Sequence, residues 1–273
     1  MADVMLTEDE LLLRNAVRDL ADRELAPRAS AYDQGEEFPW DNIRGLASLE
    51  LFGLAIDEAY GGGGGTTRQF AVVVEEIARG CAATSVIYIA HMSLCAQFIH
   101  TFGDARQKER FLPALARAEK IGAFALTEPG SGSDAGALTT TATPADGHYV
   151  LNGTKQFITN AVEADILVVL ATHDRSLRTR GIDALVAEKG GSGLTVNPQH
   201  GKMGIRATST AELVFEECHV PAQNRLGTEG EGFKQMMQVL DASRIGIAAQ
   251  AVGLAQAAYE ASMDYAKQRV AFG

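Results

Sequence analysis

The chain holds 273 residues, 46% of them hydrophobic and 22% charged, which is the balance of a folded globular protein and rules out a disordered one. Lys and Arg number 24 against 35 Asp and Glu, a net charge of −11, and the basic residues are scattered. Both facts argue against a nucleic-acid partner or an anionic lipid surface. Three cysteines (Cys81, Cys95, Cys218) form no CxxC pair, and the acidic start MADVMLTEDE lacks the build of a signal peptide. The expectation is a cytoplasmic protein, or one of an equivalent reducing compartment.

The first third reads helical. Thr7-Glu8-Asp9-Glu10 has the form of a capping box, in which the Thr7 hydroxyl accepts from the Glu10 amide and the Glu10 carboxylate reaches back. Leu6 and Leu11 stand at the staple positions around it. Leu13, Ala16, Val17, Leu20 and Ala21 follow on one apolar face, with Pro27 just past the expected end. Pro39 opens a second short helix carrying Ile43, Leu46 and Leu49, and a third carries Phe70, Val73, Val74 and Ile77. A nearly all-apolar fourth helix is expected from about Thr84 to Phe102. His91, Ser93, Gln97 and His100 interrupt it, as in a buried helix and not a membrane span. Asp104 and Gln107 repeat the capping-box pattern before a fifth.

From about Ile121 short β-prone runs appear: GAFAL, HYVLNG, KQFIT, DILVVLAT, IDALVA, GLTV and ELVFEECHV, separated by turn residues. They predict a compact antiparallel sheet domain ending near Pro221. After the Gly-rich segment 227–232 the pattern is helical again from Phe233, interrupted only by Gly246 and Gly253, for about 40 residues or ~60 Å. Such a helix requires partner helices from other subunits or from further chain; truncation is the expectation. The fold class is α+β, with helices first, then a sheet domain, then one long helix.

Most of the conspicuous motifs are structural. Gly61–Gly65 has no preceding strand and no following Lys-Ser/Thr pair, so it reads as a loop between helices. Cys218 and His219 fall on opposite strand faces, and His91 and His100 lack ligand partners at helical spacing, so no metal site is expected. No G-x-S-x-G elbow is present. The informative stretch runs from Phe124 to Asp134. It begins as a strand and breaks at Pro129 into a loop whose Gly130, Gly132 and Ser133 admit either a ligand close to the backbone or merely a tight turn. In Lys155-Gln-Phe-Ile-Thr-Asn160, Phe157 and Thr159 share a strand face that suits either a flat ring or core packing.

TEPGSGSD at 127–134, followed by KQFITN at 155–160, closely resembles the acyl-CoA dehydrogenase family of flavoproteins. LTEDELLLRNAVRDLADRELAP at the start, AYGGGGG, Gly204-Ile-Arg206, ELVFEECHVP, LDASR at 240–244 and RVAFG at the end match in the family's order. The resemblance implies an N-terminal helical domain over 1–120, a middle β-domain over 121–230, and the first helix of a C-terminal four-helix bundle over 231–273.

It also implies chemistry. Family members use FAD to oxidise an acyl-CoA thioester to the trans-2-enoyl-CoA and pass the electrons to an electron-transfer flavoprotein. By match, Phe124, Leu126, Thr127, Gly132 and Ser133 run along the flavin, and Phe157, Ile158 and Thr159 form the second flavin segment, Phe157 standing where several members carry Trp. Ser133, Asp241 and Arg244 match substrate-contacting positions. Arg269 matches a residue that reaches the FAD of a neighbouring subunit, which implies a homo-oligomer, by resemblance a tetramer. The alternatives are an acyl-CoA oxidase-type or other flavin enzyme on the same fold, or a non-catalytic fragment or assembly module.

The family's catalytic base is a Glu in one of two places. One is the slot before the Arg of the first bundle helix, which here is Ser243; the other lies late in the bundle, beyond Gly273. No catalytic residue is therefore assigned within the chain. Glu128 is the tempting substitute, but it resembles a structural member of the flavin-side loop.

Overall fold

The computed structural model describes residues 6–272. The opening helix forms as the Thr7 capping box requires, with Thr7 N–H donating to Glu10 (2.9 Å) and Glu10 N–H to the Thr7 hydroxyl (3.3 Å). Pro27 does not end it. Helix α1 (Glu8–Leu20) passes through a π-helical turn (Ala21–Leu25) into α2 (Ala26–Gly35), where Pro27 occupies the first turn. The wider turn re-phases the hydrogen bonds, so the missing proline N–H breaks nothing.

Helix α3 (Trp40–Ser48) follows Pro39. The glycine run links it to α4 (Thr67–Gly80) as a loop, packed so closely that a Cβ on Gly62 would lie 2.1 Å from the Ile56 carbonyl oxygen. Thr66 and Gln69 form a second capping box, a signal the sequence reading passed over. The apolar fourth helix spans Ala82–Phe102, as α5 (Ala82–Ile89), a π-helical stretch (Ala90–Ala96) and α6 (Gln97–Phe102). It is long and apolar enough to cross a membrane by composition, yet 72% of that window is buried inside the protein. Helix α7 (Ala105–Ala116) starts at the Asp104–Gln107 capping box.

The sheet has eight strands: β1 (Gly122–Ala125), β2 (Thr141–Ala145), β3 (His148–Thr159), β4 (Ile166–Thr172), β5 (Ile182–Glu188), β6 (Leu194–Pro198), β7 (Thr210–Pro221) and β8 (Arg225–Leu226). Their order is β6-β7-β3-β2-β4-β5-β8, with β1 beside β4. It is antiparallel except that β4 pairs parallel to β1 and to β2. HYVLNG and KQFIT, expected as two strands, are one: β3 runs through both, with an extra residue on β7 opposite Leu151–Gly153 and one on β3 between Lys155 and Ile158. β4 separates two cores. Ile166, Val168 and Leu170 face the helices, and Leu167, Val169 and Ala171 face the second layer with Leu151, Leu213 and Phe215.

Helix α8 (Gly232–Gln268) follows the sheet and lies against α4. Its buried positions, Met236, Val239, Ser243, Gly246, Ala249 and Gly253, recur every three or four residues and so form one stripe. Gly246 and Gly253, expected as interruptions, are where the helices come closest: a Cβ on Gly253 would stand 2.2 Å from the Glu75 carbonyl oxygen. Ile247, Val252, Tyr259 and Tyr265, off that stripe, are exposed.

Candidate functional site

The two segments singled out in the sequence meet. β1 leads into the 126–134 loop, and the Gln156 N–H of β3 donates to the Thr127 carbonyl at 2.8 Å. Just there β3 carries one extra residue relative to β7, since Lys155 pairs with Leu213 but Ile158 with Ala211. The bulge places Phe157 at φ 59°, in the left-handed region, with its ring 64% exposed. A large aromatic held outward in a costly backbone conformation marks a surface built to meet something. Thr127 and Thr159 are part-exposed and Ser133 is exposed.

Other residues of the expected set contribute differently. The Phe124 ring is buried in the helix-facing core, 5.9 Å from the Phe98 ring, and Ile158 is buried in the second core. Only their backbones are available to a ligand. Leu126 packs against the first core, while Gly132 is open, with nothing within 4 Å of where a Cβ would be.

Beneath this surface lies a buried ion pair that sequence reasoning missed. The Lys155 Nζ donates to Glu128 Oε1 (2.8 Å) and to the Leu126 carbonyl (3.0 Å), and neither charged side chain is more than 3% exposed. Glu128 also accepts from Thr139 N–H (2.6 Å), the Thr139 hydroxyl (2.7 Å) and Thr140 N–H (2.9 Å). Burial opposes its charge, but the Lys155 ammonium and these donors outweigh it and hold the carboxyl at about 2. Such a carboxylate is ionised and fully engaged, and it accepts no substrate proton. A lysine whose strand neighbours Tyr149, Leu151 and Ile158 are buried, with Glu128 upstream in a turn, was the available signal.

At the end of β3, Asn160 (φ 66°) donates to the carbonyls of Ile87 (3.1 Å) and Gly122 (3.2 Å), fixing the strand to α5. His91, in the adjoining π-helical stretch, is fully buried and neutral: it accepts from Gly122 N–H at Nδ1 and meets the Leu115 carbonyl at Nε2, both 3.1 Å. Burial pulls its pKa down to about 4. His100 lies 3.1 Å from Asp57, an acidic partner too distant in sequence to be foreseen.

A cleft of about 240 Å³ opens between α4, the π-helical stretch and α8, lined by Thr67, Phe70, Met92, Ser93, Gln97, His100 and Ser243 among others. Among the described residues no carboxylate lines it. Ser243 donates to the Leu240 carbonyl (2.9 Å), one turn back. Asp241 and Arg244 flank it as an exposed ion pair at 3.3 Å. Arg269 follows the end of α8, exposed, and the chain does not bring it to the site.

Three family profiles match in succession: the N-terminal domain of acyl-CoA dehydrogenases over residues 7–119, the middle domain over 123–218 and the C-terminal domain over 230–273. The short-chain specific acyl-CoA dehydrogenase of Clostridium acetobutylicum is 44% identical over 99% of this chain and 72% of its own length. The butyryl-CoA dehydrogenase of Megasphaera elsdenii superposes with a TM-score of 0.95 at 43% identity, covering 98% of this chain and 71% of that one. A structure from work on the electron transferring flavoprotein of Acidaminococcus fermentans superposes at 0.96, with 41% identity, over 98% and 70%. With all three domain profiles in order and this identity carried across nearly its full length, the chain belongs to the acyl-CoA dehydrogenase family, FAD-dependent flavoprotein oxidoreductases.

Proposed function

We propose that this protein binds FAD on the Thr127–Phe157 surface and takes part in the α,β-dehydrogenation of a short-chain acyl-CoA thioester to the trans-2-enoyl-CoA, with electrons leaving to an electron-transfer flavoprotein. The observation that carries it is the Gln156–Thr127 hydrogen bond, which joins two segments far apart in sequence into one surface with an outward aromatic ring. The residues fit a flavin. Phe157 offers an open ring face, Thr127, Ser133 and Thr159 offer hydroxyls, and Gly132 leaves its backbone unobstructed.

When bound, FAD supplies the two-electron oxidant that accepts hydride from the acyl β-carbon. The chain's own residues bind and orient. Ser133 and the Asp241–Arg244 pair take the CoA portion, and the cleft beside Ser243 takes the acyl chain, its part-apolar walls excluding water. Ser243 occupies the slot where some family members carry the base. Its hydroxyl cannot take an α-proton near neutral pH, and among the described residues no carboxylate lines the cleft; by the family resemblance we assign the base to a Glu outside residues 1–273. The intact enzyme is a homotetramer in which Arg269 reaches a neighbouring subunit's FAD, in the soluble phase of a reducing compartment.

The test is spectroscopic. Protein carrying the rest of the bundle is expected to purify yellow, with a flavin spectrum that bleaches on butyryl-CoA, and to reduce an electron-transfer flavoprotein. The 273-residue chain given FAD is expected to show no turnover. Turnover by this chain alone overturns the assignment of the base; colourless, FAD-refractory protein in both forms overturns the function.

A further inference from the structure

We propose that Glu128 and Lys155 are a positioning pair, shaping the surface on which the flavin lies rather than simply holding the fold. This rests on FAD being the bound cofactor. Three stretches of chain converge on the pair: Leu126–Glu128, Thr139–Thr140 and Lys155 itself. One carboxylate closes the neck of the 129–138 loop, because Glu128 at its start accepts two backbone N–H groups at its end. The lysine then locks that neck to β3, immediately before the bulge that turns Phe157 outward.

Burying two charges completely is an expensive way to fill a core, and apolar side chains of similar volume often serve stability as well or better. Here β3 already contributes Leu151 and Ile158 to the second core. What apolar residues cannot supply is direction. The ammonium donates to both Leu126 and Glu128, fixing the height of the loop relative to the strand at the residue next to Gln156, whose N–H meets Thr127. Thr127, Ser133 and Phe157 thus depend on one buried contact, although it is bonded to Leu126, Thr139 and Thr140 and to none of their side chains.

The test separates shape from stability. Glu128→Gln leaves a buried ammonium without its counter-charge and is expected to lower the melting temperature; Glu128→Gln combined with Lys155→Met removes both charges and is expected to restore much of it. The double variant should nevertheless bind FAD about 10-fold more weakly, and its Gln156 amide should exchange with deuterium about 10-fold faster without FAD. Affinity and exchange that recover together with stability overturn the proposal. Thr139→Val, a milder change at the exposed neck of the loop, should weaken FAD several-fold with little loss of stability. Unchanged affinity there overturns the proposal even where the double variant fails to fold. If wild-type protein carrying the rest of the bundle also takes up no FAD, the flavin assignment falls, while Gln156 exchange in the double variant still decides whether the pair shapes the bulge.

Discussion

Gly253 of α8 stands against Glu75 of α4 so closely that its missing side chain is what lets the helices meet: a Cβ there would lie 2.2 Å from the Glu75 carbonyl oxygen and 2.9 Å from the Ala78 Cβ. Two turns earlier, Gly246 faces the Phe70 ring, with 3.0 Å left for a Cβ. This approach seats α8 in the register that puts Ser243 at the cleft. Gly253→Ala is expected to destabilise the protein by about 1–3 kcal/mol, overpacking outweighing a gain of about 1 kcal/mol in helix propensity. Gly130→Ala, with nothing near its Cβ position, should leave urea unfolding unchanged.

Phe157 should show the opposite sign. Its φ of 59° costs free energy that its 64% exposed ring does not repay by burial within the chain. Phe157→Gly is expected to stabilise the FAD-free protein by about 1 kcal/mol while weakening FAD binding at least several-fold. Thermal melts without FAD and a titration with it measure the two effects. Unchanged affinity removes Phe157 from the flavin surface.

Acid sensitivity should begin at His91. Its buried imidazole has a pKa of about 4, against 6.5 when unfolded, because burial disfavours the cation. Between those values the unfolded chain binds the extra proton. The stability linked to this group is therefore complete above pH 6.5 and lost as pH falls toward 4, in total about 3 kcal/mol. Denaturant unfolding across that window should show the slope, and His91→Gln should flatten it.

Asp241 and Arg244 pair at 3.3 Å but are 68% and 72% exposed on their side chains, so the pair itself stabilises little. Arg244→Ala is expected to change folding stability by less than about 0.5 kcal/mol. In protein carrying the remaining bundle it should raise the KM for an acyl-CoA about 10-fold, a loss of about 1.4 kcal/mol of binding. A KM that stays put assigns the pair to the surface alone.

Local chemistry was legible wherever neighbours in sequence settle the outcome. The Thr7 and Asp104 capping boxes satisfy their own helix termini within four residues, whereas in ELVFEECHV the alternation that buries Leu213 and Phe215 is re-phased by a bulge at Glu216–Glu217, and that bulge is what turns Cys218 inward. The failures at Pro27 and at β3 share one cause. A π turn re-phases one helix and a bulge re-phases one strand, and both depend on what packs against them, not on period.

By itself, then, the sequence determined the order of helices, sheet and long helix, and picked out the two segments that meet at the candidate site, because periodicity, caps and turn residues act locally. Only the tertiary structure decided that Thr127 and Gln156 touch, that Phe124 faces the core while Phe157 faces out, and that Glu128 is held ionised by Lys155. Those outcomes depend on pairing across 27 residues or more and on burial, which sets the cost of a charge and the direction of a ring.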